Sequence, residues 1–315
     1  MPTARRHHFI TAAYLNGFAA DPAKPELHVF DLVRRKTRVA SPRSVAWVRD
    51  FNTIDTPRRE PDELERLLGQ IEGDVIAAIR RIDAAGSLAQ KDDLHLVLNL
   101  VGMFAARNPD LRGRLEQFTR DFVMRMAKLS VQSPEMYAQS ARRHGTSDYE
   151  DMKAFIDGGE FKISIKRNFL IGQELAVAGP IVDMLARRRW SLLKTDPVAT
   201  GGFITSDHPV CLDWTNPMPK GPFNSPGFGL TSTVVVFPLT RRMCLIGSFE
   251  LEARELQVGF KQVAFMNGAI VASAREYAFA ADDMCVFMAE GRDAPTMCRD
   301  LLATVPAAAH QAGRR

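Results

Sequence analysis

Apolar and polar positions along this chain repeat with two different periods. Residues 26–52, ELHVFDLVRRKTRVASPRSVAWVRDFN, alternate in short runs around a basic turn, which predicts a hairpin-rich β region. Pro61 then opens a helix. Over 62–84, at 100° per residue, Leu64, Leu67, Leu68, Ile71, Val75, Ile79 and Ile82 gather on one stripe opposite Arg66, Gly73 and Arg80, so one face of this helix should pack on a core. Residues 92–107 are apolar nearly all round, the pattern of a helix buried on several sides, and Pro109 marks its end. Further helical periodicity covers 110–131, 134–143 and 168–188, with Pro180 a kink or break in the last.

After Trp190 the period shortens. WSLLKT, GGFITS, TSTVVVFPL and MCLIGSF read as antiparallel strands separated by turn-rich stretches such as TNPMPKGPFNSPGFG. One more helix is expected near 259–274, and no internal repeat is present. The pattern predicts an α+β fold in which a helical layer, residues 61–188, packs on a mostly antiparallel sheet from the C-terminal third, joined by an N-terminal β-hairpin region. Residues 1–303 are expected to form a single domain, and 304–315, poor in large apolar side chains, a frayed tail.

Composition adds little that is distinctive. The chain has 315 residues, 46% hydrophobic and 25% charged, with a mean hydropathy of −0.14, as in water-soluble globular proteins. No apolar run reaches the roughly 20 residues of a membrane span. Asn16 and Gly17 interrupt the N-terminal apolar stretch, which argues against a signal peptide. A cytoplasmic protein is the resulting expectation. The net charge of +4 demands no anionic partner, and the many Arg residues are scattered through expected helices. Nucleic acid, through Arg5, Arg6 and the 187–190 run RRRW, is an unfavoured partner because basic residues ending a helix also complement its dipole. Cys211, Cys244, Cys285 and Cys298 are too widely spaced for a C-x-x-C site and too few for a disulfide framework, so four buried, reduced thiols are expected.

Two strings carry candidate chemistry. Arg5-Arg6-His7-His8-Phe9-Ile10 sets two imidazoles side by side, and on an extended chain only one of them can face a given site. Phe203-Ile204-Thr205-Ser206-Asp207-His208-Pro209-Val210 runs a strand into hydroxyls and a carboxylate at a turn, where such residues can equally bond their own backbone. In this pattern the sequence resembles the bacterial and fungal family named domain of unknown function 4238. His7, His8, Phe9, Ile10, Tyr14, Leu15 and Phe18 fit that family's opening string, and residues 203–210 match its Phe-Ile-Thr-Ser-Asp-Asn-Pro-Val string with His208 in place of Asn. Ile71-Glu72, Arg107-Asn108-Pro109 and Asn267 resemble further landmarks, in order. Thr11 and Ala13 depart from the usual Pro and aromatic. The resemblance implies candidate positions and no particular reaction.

Glu65 and Glu72 lie seven apart, on one helix face at the margin of the apolar stripe, so a half-buried Glu72 needs a partner, for which Arg107 is the natural candidate. In the following helix His95, Asn99, Gly102 and Ala106 form a polar and small seam, read as a core histidine bonded to Asn99 where another backbone can approach. No nucleotide-binding, nucleophile-elbow or zincin motif occurs. Two functions remain. In one, His7 or His8 meets Asp207 and Glu72 in a cleft, with Arg107, Thr205, Ser206, Asn267 and Arg5 as substrate-binding groups, for acid–base hydrolysis of a small or phosphorylated substrate. In the other, the same residues are a structural polar network in a non-catalytic ligand- or nucleic-acid-binding protein. No cofactor is expected. A divalent metal is the alternative, disfavoured because adjacent His7 and His8 cannot readily share one ion and Arg107 would repel it.

Overall fold

The computed structural model describes residues 6–54, 60, 63–144, 148–216 and 224–305. In chain order the elements are β1 (Arg6–His8), α1 (Ala12–Leu15), β2 (Leu27–Asp31), β3 (Lys36–Ala40), β4 (Trp47–Arg49), α2 (Glu63–Ala85), α3 (Lys91–Ala106), α4 (Pro109–Ser130), α5 (Pro134–His144), α6 (Tyr149–Gly158) and α7 (Arg167–Ala186). They continue as β5 (Arg189–Lys194), α8 (Pro197–Thr200), β6 (Thr205–Ser206), β7 (Cys211–Trp214), β8 (Thr233–Thr240), β9 (Met243–Ser248), β10 (Glu255–Gln257), α9 (Phe260–Ser273), β11 (Tyr277–Ala280), β12 (Val286–Phe287), β13 (Thr296–Met297) and α10 (Leu301–Thr304). The fold is α+β. It divides into two compact units, Pro109–Glu174 and the remainder. Residues 306–315, most of the expected frayed tail, lie outside the described residues.

The larger unit holds a five-stranded sheet, order β10-β5-β9-β8-β7, and a four-stranded one, order β3-β2-β11-β6. Every neighbouring pair in them is antiparallel except β10 with β5. The expected hairpin is β2–β3, whose Leu27 pairs with Ala40 and Asp31 with Lys36, and its turn includes Arg35 at φ 56°.

Two apolar clusters form the core. In the first, the Tyr14 ring lies 5.1 Å from Phe18, 5.2 Å from Phe104 and 5.5 Å from Phe237, centroid to centroid, within the range of favourable aromatic pairs. The second gathers Phe30, Phe203 and Phe287 around α9. On α2 the C-terminal part of the stripe is buried, with Val75, Ala78, Ile79 and Ile82, while Leu67 and Ile71 are exposed. Leu64, at the N-terminal end, is buried again, so the uncovered part lies in the middle of the stripe. A Cβ on Gly102 of α3 would stand 2.5 Å from Val182 Cγ2, so the small residue does admit a neighbouring helix. His95, expected in the core, is exposed, and Asn99 donates to its backbone carbonyl at 3.0 Å, a bond within one helix turn.

Cys285 and Cys298 form a disulfide, contrary to the expectation of four reduced thiols, while Cys211 and Cys244 are buried and free. The cause is local pairing: Val286 faces Met297 across β12–β13, which leaves residues 285 and 298 opposite each other just beyond the ladder, with Cα atoms 5.3 Å apart. α7 continues through Pro180. By length and composition it is apolar enough to cross a membrane, with a mean hydropathy of 1.4 over its best window, although Glu174 and Asp183 interrupt its apolar run.

In the smaller unit, α6 was not foreseen from the polar and Gly-containing stretch around it. Its ends are nonetheless conventional, with Asp148 capping the Glu150 N–H and Gly159 at φ 67° closing it. Inside this unit Arg112 grips the buried Glu174 with two bonds, Nε to Oε1 at 2.5 Å and Nη2 to Oε2 at 2.6 Å. Among its described residues only Val131, Ile156, Leu170 and Ile171 are buried apolar side chains, and α4 buries none of its own.

Candidate functional site

Strand β1 is extended, so its side chains alternate: Arg6 is exposed, His7 is fully buried and His8 is half-buried. Its partner β4 sets His7 opposite Val48, and Asp50 then turns the chain at φ 56° to deliver Asn52 into the interior. The Asn52 backbone N–H donates to His7 Nδ1 at 2.8 Å. A neutral His7 therefore carries its proton on Nε2.

Asn52, itself fully buried, is a hub. Its Nδ2 donates to Glu65 Oε2 at 2.5 Å, and its Oδ1 accepts from Arg107 Nη2 at 2.5 Å. Arg107 reaches it because α3 ends there: the residue leaves helical geometry at φ −119°, ψ 84°, while its N–H closes the last turn on the Met103 carbonyl. Glu65 and Glu72 come from the same face of α2. Burial, reinforced by the charge of Glu65 and opposed by Arg107, pushes the Glu72 carboxyl up to about 7. His8 donates from Nε2 to the Arg43 carbonyl at 3.3 Å, and burial lowers its pKa, with His7 adding to the fall and Glu65 opposing it. His7, His8, Glu65, Glu72, Arg107 and Asn52 thus form one electrostatically connected cluster. Arg6 lies over the Trp47 ring at 4.7 Å on its outer edge.

The second string is built elsewhere and is filled by the protein's own backbone. Asp207, buried, accepts from the backbone N–H groups of Arg275 at 2.9 Å, Glu276 at 2.7 Å and Tyr277 at 3.2 Å. Burial still raises its carboxyl to about 6, against the downward pull of those three bonds. Among the described residues no hydrogen bond or ion pair joins Asp207 to His7, His8, Glu72 or Arg107. Thr205 Oγ1 meets the Tyr14 hydroxyl at 2.9 Å, and that hydroxyl donates to the Pro238 carbonyl at 2.7 Å. Ser206 Oγ accepts from the His208 N–H at 3.1 Å.

Asn267, fully buried on α9, accepts from Ile204 N–H at 3.1 Å and donates to the carbonyls of Gly202 at 3.0 Å and Val286 at 2.7 Å. Asp207 therefore ties its strand end to the start of β11 and Asn267 ties α9 to the strand ends, while Thr205 binds α1 and Ser206 its own turn. Arg5 lies outside the described residues.

Asn52 was not singled out from the sequence, where an Asn after a strand reads as an ordinary turn residue; Glu65 was visible only as the partner of Glu72 by spacing. The RRRW run does not form a basic stripe, because Arg188 is buried, holding the carbonyls of Phe228, Thr233 and Gly247. Cavities of about 410 Å³ beside Trp214 and Leu230 and about 270 Å³ between Asp83, Lys194 and Arg242 are lined by none of the cluster residues. Among the described residues no three His, Cys, Asp or Glu side chains are arranged to hold a metal ion.

A family model described as "Protein of unknown function (DUF4238)" matches residues 6–284. No curated protein and no solved structure matches the chain.

Proposed function

The chain belongs to the DUF4238 family, and from that premise we propose that the cluster around Asn52 is an acid–base site that hydrolyses a small anionic substrate. One observation carries the reading: a half-buried carboxyl, Glu72, holds its proton up to about pH 7 beside Glu65 and Arg107. Such a group can give up a proton at neutral pH, which an ordinary carboxylate, already ionised, cannot. His8, kept neutral by burial, takes a proton from water, the water oxygen attacks, and Glu72 protonates the leaving group. His7, Asn52 and Glu65 hold the acid and base in register, and the charge of Arg107 favours an anion such as a carboxylate or phosphate.

A second reading, a structural network that fixes β1 to the body, draws support from the complete burial of His7 and Asn52. Hydrolysis of p-nitrophenyl acetate, phosphate and phosphodiester by the wild type and by Glu72→Gln, from pH 5 to 9, separates the two. The acid–base reading expects turnover of at least one substrate, falling as pH rises past about 7, and a loss of roughly 100-fold or more in Glu72→Gln. Turnover that Glu72→Gln leaves unchanged, or none with any substrate, leaves the structural network in its place.

A further inference from the structure

Helix α4 turns one apolar face to solvent. At 100° per residue, Phe118, Phe122, Met126 and Leu129 fall within an arc of about 80°, while Glu116, Arg120, Ala127 and Val131 lie on the opposite side. The four stripe residues are 68%, 54%, 48% and 40% exposed, and the Phe118 and Phe122 rings stack at 6.5 Å. No described segment covers them. The stripe alone offers on the order of 400 Å² of apolar surface, the size of the largest patch on a typical monomer and a mark of an interaction site.

Its flank identifies the occupant. Arg114, Asp121, Arg125 and Lys128 border one side of the stripe, and Arg125 has no hydrogen-bond or ion-pair partner among the described residues, while Asp121 accepts only from Gln117 at 2.9 Å. In an antiparallel pairing of two identical helices, each flank meets its own copy. A two-fold axis at the level of residue 123 places Asp121 of one copy beside Arg125 of the other, and by symmetry does so twice. It also brings Phe122 close to its own counterpart and sets Phe118 of each copy at the level of Leu129 of the other.

We infer that α4 is the interface through which two copies of this chain associate. Two stripes with their flanks and Val123 remove roughly 1,000–1,200 Å², the low end of specific interfaces, which fits a dimer of micromolar dissociation constant. A lipid surface fits less well, because Asp121 lies on the flank that would meet the headgroups.

Sedimentation of the full chain between about 1 and 100 µM tests the inference. The wild-type mass should rise from 35.1 kDa toward twice that value. Phe122→Glu should remain monomeric with an unchanged circular dichroism spectrum. Asp121→Arg should weaken the dimer by about tenfold, and the double exchange Asp121→Arg with Arg125→Asp should bring it back to within about threefold. A monomer at every concentration, a dimer that Phe122→Glu leaves intact, or a double exchange as weak as the single one would overturn it. So would a monomer that binds phosphatidylcholine vesicles and loses that binding in Phe122→Glu, since the face would then belong to a membrane.

Discussion

The two units of this protein spend their apolar side chains in opposite ways. In the larger one, the helices and sheets close on two clusters that shut Tyr14, Phe18, Phe237 and Phe279 off from water, although Phe260 and Phe265 of α9 stay exposed. In the smaller one, Phe118, Phe122, Met126, Leu129, Phe155 and Phe169 remain exposed around a few buried residues. Helical periodicity was legible in both, α6 excepted. Periodicity tells which face of a helix is apolar; whether that face is covered depends on how many neighbours the unit can supply, and a unit of some sixty residues supplies few.

Five substitutions put this contrast to the test. Phe237→Ala should cost the larger unit about 5 kcal/mol, because it opens a cavity against both Tyr14 and Phe104, and urea unfolding would register the loss. Glu174→Ala should cost about 4 kcal/mol by leaving the Arg112 charge buried without its carboxylate. Hydrogen exchange should locate that loss in 109–174. If it spreads equally to β8 and β9, the two units unfold as one and the comparison fails.

Next in size, Cys285→Ser should cost about 3 kcal/mol by freeing a loop of 13 residues. In parallel, thiol titration of the unfolded, unreduced wild type should find two thiols and, after reduction, four. Glu72→Gln should act with pH. Because the folded state holds the Glu72 proton up to about 7 against an ordinary 4.5, its stabilising effect is complete below about 4.5 and is lost as pH rises through 7. The variant, always neutral, should match the wild type near pH 4 and exceed it at pH 8 by about 2 kcal/mol, allowing for partial exposure. Asp207, raised to about 6, leaves a smaller slope of the same sign in both proteins. Last, Phe118→Ala measured in dilute monomer should change stability by no more than about 0.5 kcal/mol, against the ten times larger effect at Phe237.

What could be read in advance follows from what is local. The span of α3, expected over 92–107 and found at Lys91–Ala106, rests on a period internal to the segment, as do the β2–β3 hairpin and the strands after Trp190. The α2 stripe shows the limit, since nothing in its own sequence says that Leu67 and Ile71 lack a covering surface. Within the cluster, the expectation that a half-buried Glu72 would feel the charge of Arg107 came from burial and charge, and Arg107 does oppose the rise of the Glu72 pKa. The role of Asn52 did not, because an amide gains importance only from groups brought to it from positions 7, 65 and 107. Asp207 looked like a presented carboxylate for the same reason: the three N–H groups that fill it arrive from about seventy residues away.

The pairing of β2 with β11 bears on how the chain is made. Val29 and Phe30 sit in the middle of a sheet whose next strand, Tyr277–Ala280, is about 250 residues downstream. At roughly 5–20 residues per second, a ribosome needs on the order of 10 to 50 s to bring the second strand into being after the first. During that interval the 109–174 segment, contiguous in the chain, can already be complete, with the stacked rings of α4 open to solvent. Synthesis thus leaves the hairpin waiting for a partner while the helical segment already presents its surface, and proteolysis of stalled nascent chains should find 109–174 protected well before 27–40.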